Sequence, residues 1–176
     1  MIEPFQKDDA FLADRAAPSG SPDELRFWWL GQSGFLVRCG EAFLLLDPYL
    51  SDSLTAKYEH TDKPHVRLTE RVIAPERLTG IHVVTSSHNH TDHLDPETLV
   101  PLLHANPGLQ LVIPEANREF VALRLGIEPL LPIGLDDGRS VSVGGFTFYG
   151  IAAAHDALDR DPLGRDLYLG YVIGCG

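Results

Sequence analysis

The sequence has few cysteines, no long apolar run and little positive charge. Only two of its 176 residues are cysteine, Cys39 and Cys175, too few for a disulfide scaffold and not spaced like a zinc knuckle. We interpret both as unpaired thiols that act as small apolar side chains. The apolar runs, such as Phe27 to Leu30 and Phe43 to Leu46, are far shorter than the roughly 20 residues of a membrane-spanning helix. The sequence therefore predicts no membrane span.

Lys and Arg number 14 against 25 Asp and Glu, which is a formal net charge of −11. Such a surface repels phosphate backbones and anionic lipids, so neither nucleic acid nor a membrane is expected as a partner. Residues 1–24 are acidic and contain Pro, Ser and Gly, without the basic and apolar regions of a secretory signal. We interpret them as a flexible leader. The prediction is a cytoplasmic protein that acts on a small-molecule substrate, and a homo-oligomer is compatible with the sequence.

The rest of the chain has the composition of one globular domain, with 44% hydrophobic and 22% charged residues. Its patterns predict strands over 25–31, 34–39, 42–46, 81–85, 109–113, 140–143, 146–154 and 168–173, and helices over 95–106 and 115–125. In the second helix Phe120, Val121 and Leu125 are expected to face inward. The polar stretch 49–79, with a short helical piece near 75–78, is either a substrate lid or a surface excursion. Strand and helix alternate in the middle, so the fold class is α/β with a mixed sheet.

Three histidines and an acid follow the predicted strand 81–85 directly: His88, His90, Asp92 and His93. Neutral imidazole and carboxylate groups are common ligands of zinc, iron and manganese. Residues two apart in an extended stretch project to one side, so His88 and His90 can bind one metal ion. Asp92 and His93 must then point elsewhere. The pattern predicts two adjacent half-sites for divalent metal ions about 3.5–4 Å apart.

The pattern His88-x-His90-x-Asp92-His93 after an apolar strand resembles the motif of the metallo-β-lactamase superfamily. The stretch Phe27-Trp28-Trp29-Leu30-Gly31-Gln32-Ser33-Gly34 and the later Leu46-Asp47-Pro48 are similar to the branch that contains L-ascorbate-6-phosphate lactonase. The resemblance implies an α/β (α+β) fold of the αββα sandwich type. Residues 25–176 would supply its first half and part of its second.

The resemblance also implies roles for individual residues. His88, His90 and a later histidine, for which His155 fits, would bind the first metal ion, and Asp92 and His93 the second. Asp92 would in addition orient the attacking water, which makes it the expected catalytic residue. One or two divalent ions are expected, zinc first, with manganese or iron as alternatives.

Two further aspartates belong to the same expectation. Asp156 is a second candidate for the position of His155, because the lactonase has a carboxylate near this point. Asp47 would support the metal loop by hydrogen bonds, although a solvated aspartate at a strand end is an equally good interpretation.

The superfamily's Gly-Asp motif and its last histidine do not follow the segment Tyr171 to Gly176. We therefore expect a domain truncated at its C-terminus, which binds one metal ion and lacks full activity. The predicted function is that of a metal-dependent hydrolase that uses metal-activated water on a lactone or ester, phosphorylated or not. The alternatives are a phosphodiesterase of the N-acyl phosphatidylethanolamine phospholipase D type and a non-catalytic metal-binding fragment.

The sequence shows no cluster of Lys and Arg that would mark a phosphate pocket. Arg160 and Arg165 lie near His155, but we interpret them as solvated loop residues. The N–H groups at the start of the helix that begins at Asp95-Pro96 are expected to point toward the site.

Overall fold

The computed structural model describes residues 1–21 and 24–175, which form two β-sheets and a layer of helices. The α-helices are α1 (Asp8–Ala16), α2 (Ser53–Tyr58), α3 (Pro96–Ala105) and α4 (Arg118–Leu125), with 3₁₀ turns at Pro75–Arg77 and Glu115–Asn117. The strands are β1 (Leu25–Trp29), β2 (Phe35–Cys39), β3 (Ala42–Leu46), β4 (Val83–Thr85), β5 (Gln110–Pro114), β6 (Ile133–Leu135), β7 (Ser140–Val143), β8 (Phe146–Ala152) and β9 (Leu169–Cys175). Within the described part of the chain, no helix is both long and apolar enough to cross a bilayer.

The larger sheet has the order β1-β2-β3-β4-β5-β6, and the smaller one has the order β7-β8-β9. β1, β2 and β3 pair antiparallel, whereas β3 to β6 pair parallel, and the smaller sheet is antiparallel. The turn between β7 and β8 uses Gly144 and Gly145 with φ of 58° and 87°, a conformation that favours glycine. The mixed sheet predicted from the sequence is confirmed.

The central strands β3 and β4 of the larger sheet are buried on both faces, since neighbouring residues of a strand point to opposite sides. On β3, Leu45 packs toward the helices while Leu44 packs toward the smaller sheet, and Val84 and Val83 do the same on β4. One apolar cluster thus lies between the helices and the larger sheet, and another lies between the two sheets. The described residues form three layers, helix, sheet and sheet.

The predicted elements largely match the observed ones, with three differences of detail. α2 and β6 were not predicted, because six-residue and three-residue elements carry too little periodicity. Val121 and Leu125 are buried as expected, but Phe120 is 44% exposed, so that prediction is wrong. The Phe120 ring instead lies at the surface, 5.6 Å from the Arg124 guanidinium carbon.

The leader is not loosely held throughout. Helix α1 buries Phe11 to 1% exposure, and the Phe11 ring packs against the Trp28 ring of β1 at 6.4 Å. The indole Nε1 of Trp28 also donates to Asp14 Oδ2 at 2.6 Å. The prediction of a flexible leader is therefore corrected for residues 8–16, which one aromatic side chain fixes to the core. Residues 22 and 23, also within that prediction, lie outside the described residues.

The two cysteines form a disulfide bond, so their interpretation as unpaired thiols is wrong. Cys39 ends β2 and Cys175 ends β9, and the stacking of the two sheets brings their Cα atoms to 6.6 Å. A separation of 136 residues hid this pairing in the sequence. The cytoplasmic location stays a prediction.

Candidate metal centre

The histidine-rich loop lies at one edge of the larger sheet, where strands β3 and β4 both end. Because β3 and β4 are parallel, the loop that follows Thr85 lies beside Asp47, the first residue after β3. His155 lies three residues beyond the end of β8 in the smaller sheet. Ligands remote in sequence can therefore meet at this edge, the usual place for sites in open α/β sheets.

Four imidazole rings lie together at this edge. The ring centroid of His88 is 4.1 Å from that of His93 and 4.7 Å from that of His90. The centroid of His155 is 4.9 Å from that of His90, so the structure brings the later histidine to the loop. Asp92 Oδ2 lies 3.6 Å from His93 Nε2. All five residues predicted as metal ligands are thus neighbours.

The protonation of His88 suits it to bind a cation. Burial, together with the charges of His93 and His90, lowers the pKa of His88 to about 4. A neutral imidazole is the ligating form. The Ser87 hydroxyl lies 3.0 Å from His88 Nδ1, which leaves Nε2 of that ring available. A neutral His88 with Nε2 free therefore suits a divalent transition metal ion.

Asp47 fixes the histidine-rich loop through several hydrogen bonds. Its carboxylate accepts from the Ser87 backbone N–H at 3.0 Å and from Thr85 Oγ1 at 2.5 Å. It also accepts from the Ser87 hydroxyl and lies 2.8 Å from His93 Nδ1. Asp47 has φ of 42°, a left-handed conformation that is uncommon outside glycine and is frequent at functional sites. The carboxylate is thus fixed in position by both backbone and side-chain contacts.

The pKa of Asp47 stays below its ordinary value although the carboxylate is largely buried. Burial raises this pKa, but the hydrogen bonds from His93, Ser87 and Thr85 and the charge of His93 outweigh that effect. For His93, burial lowers the pKa, but the hydrogen bond and charge of Asp47 raise it above its ordinary value. Asp47 is therefore a carboxylate at neutral pH and stabilises positive charge at the site.

By distance alone, the described residues offer one group of three ligands, and it is not the predicted set His88, His90 and His155. Asp47, His88 and His93 offer ligand atoms that all lie within 4.8 Å of one another. The oxygens of Asp47, however, already contact four polar groups, on Thr85, Ser87 and His93. Few of its lone pairs therefore remain free for a metal ion. This geometry favours Asp47 as the residue that orients His93, a common partner of metal-bound imidazole.

Asp156 is placed less well than His155 for a ligand. Its side chain is fully exposed, and its Oδ2 lies 3.6 Å from His155 Nδ1. The side chain of His155 is 51% exposed and its ring contacts that of His90. Between the two, the geometry favours His155.

Tyr168 is a residue of this cluster that the sequence did not indicate. Its ring centroid lies 5.3 Å from that of His88, 5.8 Å from that of His155 and 6.0 Å from that of His90. Tyr168 directly precedes β9, whose first residue, Leu169, donates its backbone N–H to Ser87 O at 3.0 Å. Only its place before an apolar strand could have suggested it.

Two arginines predicted as solvated loop residues form ion pairs instead. Arg160 Nε lies 3.0 Å from Asp166 Oδ1, and Arg165 Nη2 lies 2.6 Å from Asp161 Oδ2. Because acids of the same loop neutralise them, neither is a free cation beside His155.

A buried carboxylate lies at the start of α3. The carboxylate of Asp95 is fully buried there and accepts from Thr98 Oγ1 at 2.6 Å and from Ser53 Oγ at 2.9 Å. A buried acid of the chain itself therefore lies at the end of α3 that favours negative charge.

Comparison with known proteins agrees with this geometry. A family model described as a beta-lactamase superfamily domain matches residues 26–175. The chain belongs to the β-lactamase superfamily. This confirms the resemblance read from the histidine motif, although nothing distinguishes the ascorbate-phosphate lactonase branch from others.

Named relatives of this superfamily member are longer proteins. A UPF0173 metal-dependent hydrolase of Mesorhizobium japonicum is 28% identical over 152 residues, which are 83% of this chain and 54% of that protein. Another, from Chelativorans sp., is 31% identical over 153 residues, 85% of this chain and 56% of that protein. The chain thus spans about half the length of the curated relatives it matches.

Solved structures show the same fold. CmlA, a diiron β-hydroxylase from Streptomyces venezuelae, superposes with a TM-score of 0.58 at 22% identity, covering 89% of this chain and 28% of that one. Igni18, a metallo hydrolase from Ignicoccus hospitalis, gives a TM-score of 0.51 at 18% identity, covering 86% and 56%. At these identities the likeness concerns the fold alone, and it confirms the predicted metallo-β-lactamase architecture.

Proposed function

We propose that the protein is a metal-dependent hydrolase that opens a lactone or ester with a metal-activated water. The observation that carries this proposal is the meeting of His88, His90, His93 and His155 beside Asp92 at one sheet edge. The relatives named as metal-dependent hydrolases support the same reaction class. No serine or cysteine nucleophile is required by such chemistry.

We assign the ligands as the sequence motif predicts. His88, His90 and His155 would hold one ion, for which zinc is the first choice, and Asp92 and His93 would contribute to a second. A bound ion there would acidify a water molecule and polarise the carbonyl oxygen of the substrate. Asp92 has a side chain that is 40% exposed, so its second oxygen can accept a hydrogen bond from that water and orient it.

Asp47 acts through His93. Its carboxylate fixes the ring by the contact to Nδ1, which leaves Nε2 directed to the side of Asp92. Tyr168 and His155 border the same cluster from the smaller sheet.

A metal analysis tests the ligand assignment. The double variant His88→Ala/His90→Ala should lose its bound transition metal, because two neighbouring imidazoles are removed from one ion. The matched control is His60→Ala/His104→Ala, which also removes two histidines, both exposed in the structure and outside the cluster. Metal content is measured by mass spectrometry on protein purified without chelators.

Hydrolysis assays on the metal-loaded protein test the reaction class. Turnover of lactones and carboxylic esters, lost in the His88→Ala/His90→Ala variant and kept in the control, supports the proposal. Turnover of phosphodiesters alone would replace it by a phosphodiesterase. Equal metal content in the double variant and the unsubstituted protein would refute the ligand assignment.

A further inference from the structure

A cavity of about 550 Å³ adjoins the proposed metal centre, within the range of small-molecule sites. His90 and Asp92 form part of its wall, so the cavity is continuous with the histidine-rich loop. The wall also contains the basic side chains Lys57, Lys63, His65 and Arg124. The two lysines and His65 come from the long stretch 49–79, which the sequence left open between a lid and a surface excursion.

The charge of this cavity wall is opposite to that of the chain as a whole. The chain has a net charge of −11 and only three lysines, and two of these lysines line this one cavity. Within residues 1–21 and 24–175, neither Lys57 nor Lys63 has a carboxylate within ion-pair distance, whereas Lys7 pairs with Glu70 at 2.7 Å. In the described lining the one carboxylate is Asp92. Three cationic side chains thus share this site with one carboxylate, so its wall has an excess of positive charge.

Arg124 brings a third positive charge in a fixed position. Its Nη1 donates to Asn89 O at 3.2 Å and its Nη2 donates to Thr91 Oγ1 at 2.6 Å. Both acceptors are neutral, so the charge of the guanidinium is not cancelled. The three cations come from positions 57, 63 and 124, which explains why no cluster was visible in the sequence.

A buried polar atom in the same wall lacks a partner. Among the described residues, Nδ1 of His65 is buried and makes no hydrogen bond. A buried polar group without a partner costs free energy, so a ligand that supplies one would be stabilised there. Lys57 is held close by, with its Nζ 5.0 Å from the centre of the Tyr58 ring, which is also part of the lining.

We propose that this cavity binds an oxyanion group of the substrate, a carboxylate or a phosphate remote from the bond that is cleaved. Lys57 and Lys63 are the specificity-determining residues, and Arg124 adds a fixed charge. Two mobile ammonium groups and one fixed guanidinium suit a carboxylate or phosphate oxygen better than a neutral group. This inference rests on the proposed hydrolase function, since it names the class of substrate for the same site.

Three aryl esters that differ only at the end of the acyl chain test the inference, one with a methyl, one with a carboxylate and one with a phosphate group. In the double variant Lys57→Gln/Lys63→Gln, the preference in kcat/KM for the anionic esters over the methyl ester should fall about 10-fold or more, because charge-assisted hydrogen bonds are lost. The fall should lie mainly in KM. A drop for only one of the two anions identifies which oxyanion the cavity accepts.

The matched control is Lys7→Gln, which removes the third lysine away from this cavity. It should keep the preference of the unsubstituted protein. An equal loss on all three esters in the double variant, or no loss on any of them, would overturn the inference. Melting curves of each variant establish that the protein is folded.

A binding measurement keeps the inference testable if the proposed function is wrong and no ester is hydrolysed. Inorganic phosphate is titrated into the metal-loaded protein in a calorimeter at low ionic strength. A Kd that is about 10-fold weaker in the double variant than in the unsubstituted protein and Lys7→Gln supports the anion site. An unchanged Kd, or no binding to the unsubstituted protein, overturns it.

Discussion

The two walls of the cavity beside the proposed metal centre are built in opposite ways. On the side of the histidine-rich loop, polar groups are tied together: Asp47 accepts hydrogen bonds from the loop, Ser33 Oγ donates to Asp92 O at 3.0 Å, and Arg124 donates to Asn89 and Thr91. On the side of the stretch 49–79, Lys57 and Lys63 are exposed and have no described ion-pair partner. This difference indicates that the metal-binding groups are held in fixed positions, whereas the lysines that recognise the substrate stay adaptable.

The contrast has a physical reason. A metal ligand must stay within a fraction of an ångström of its position, and buried hydrogen bonds achieve this at the cost of folding free energy. A lysine that binds an anion acts as a point charge on a flexible chain and tolerates several positions. Substitutions in the first wall, formed by the histidine-rich loop, should therefore affect stability and metal affinity. Substitutions in the second wall, formed by the stretch 49–79, should affect substrate preference.

The largest effect is expected from Asp47→Asn. The amide is neutral and can accept at only one atom, so Ser87, Thr85 and His93 lose part of their shared acceptor, while asparagine still tolerates the positive φ. Metal affinity should fall about 10- to 100-fold, and the free energy of unfolding of the metal-free protein should fall by about 1–3 kcal/mol. Competition with a chelator and urea denaturation measure the two quantities.

Asp62→Asn is the matched control for Asp47→Asn. Asp62 lies in the stretch 49–79, which forms the second wall. Its side chain is exposed, and no partner is described for it. Its change in stability should stay within about 0.5 kcal/mol. A similar result for both aspartates would show that the loop is not held by Asp47 and would remove the contrast between the walls.

The first wall was predictable from the sequence because its ligands are local. His88, His90, Asp92 and His93 lie within six residues, and the strand before them has a clear apolar pattern. The strands of the larger sheet up to β5 were predictable for the same reason. His155 was predictable only through the resemblance to a family, since its approach to His90 depends on how the two sheets stack.

The positively charged part of the cavity was not predictable, because its residues are remote in sequence and come together only in the folded chain. Lys57 and Arg124 are 67 positions apart in the sequence, and α2, which includes Lys57, is too short for a helical pattern to identify. The disulfide between Cys39 and Cys175 and the contact of Phe11 with Trp28 escaped prediction for the same reason. Side chains that face each other across layers leave no local signal.

An intermediate effect is expected from Arg124→Gln, which tests whether the loop is held from the side of α4. The variant loses the hydrogen bonds to Asn89 O and Thr91 Oγ1, so local opening of the loop should cost about 1 kcal/mol less. Hydrogen exchange of the backbone amides of residues 89–94 should then be roughly 5-fold faster. Mass spectrometry after timed labelling measures this rate.

Arg139→Gln is the control for Arg124→Gln, since Arg139 is exposed and no side-chain partner is described for it. Its loop amides should exchange at the rate of the unsubstituted protein. Unchanged exchange in Arg124→Gln as well would mean that Asp47 alone fixes the loop, and the guanidinium would then serve the cavity and not the metal centre.

The smallest effect on stability is expected from the double variant Lys57→Gln/Lys63→Gln. Both side chains are exposed and have no ion-pair partner within the described residues, and Lys57 contacts only the Tyr58 ring, so the free energy of unfolding should change by less than about 0.5 kcal/mol in urea denaturation. Lys7→Gln breaks an exposed ion pair with Glu70, and such pairs contribute little to stability. A loss well above 1 kcal/mol in the double variant would show that the two lysines hold the stretch 49–79 in place. The second wall would then be as structural as the first, and its charge could no longer be attributed to substrate recognition alone.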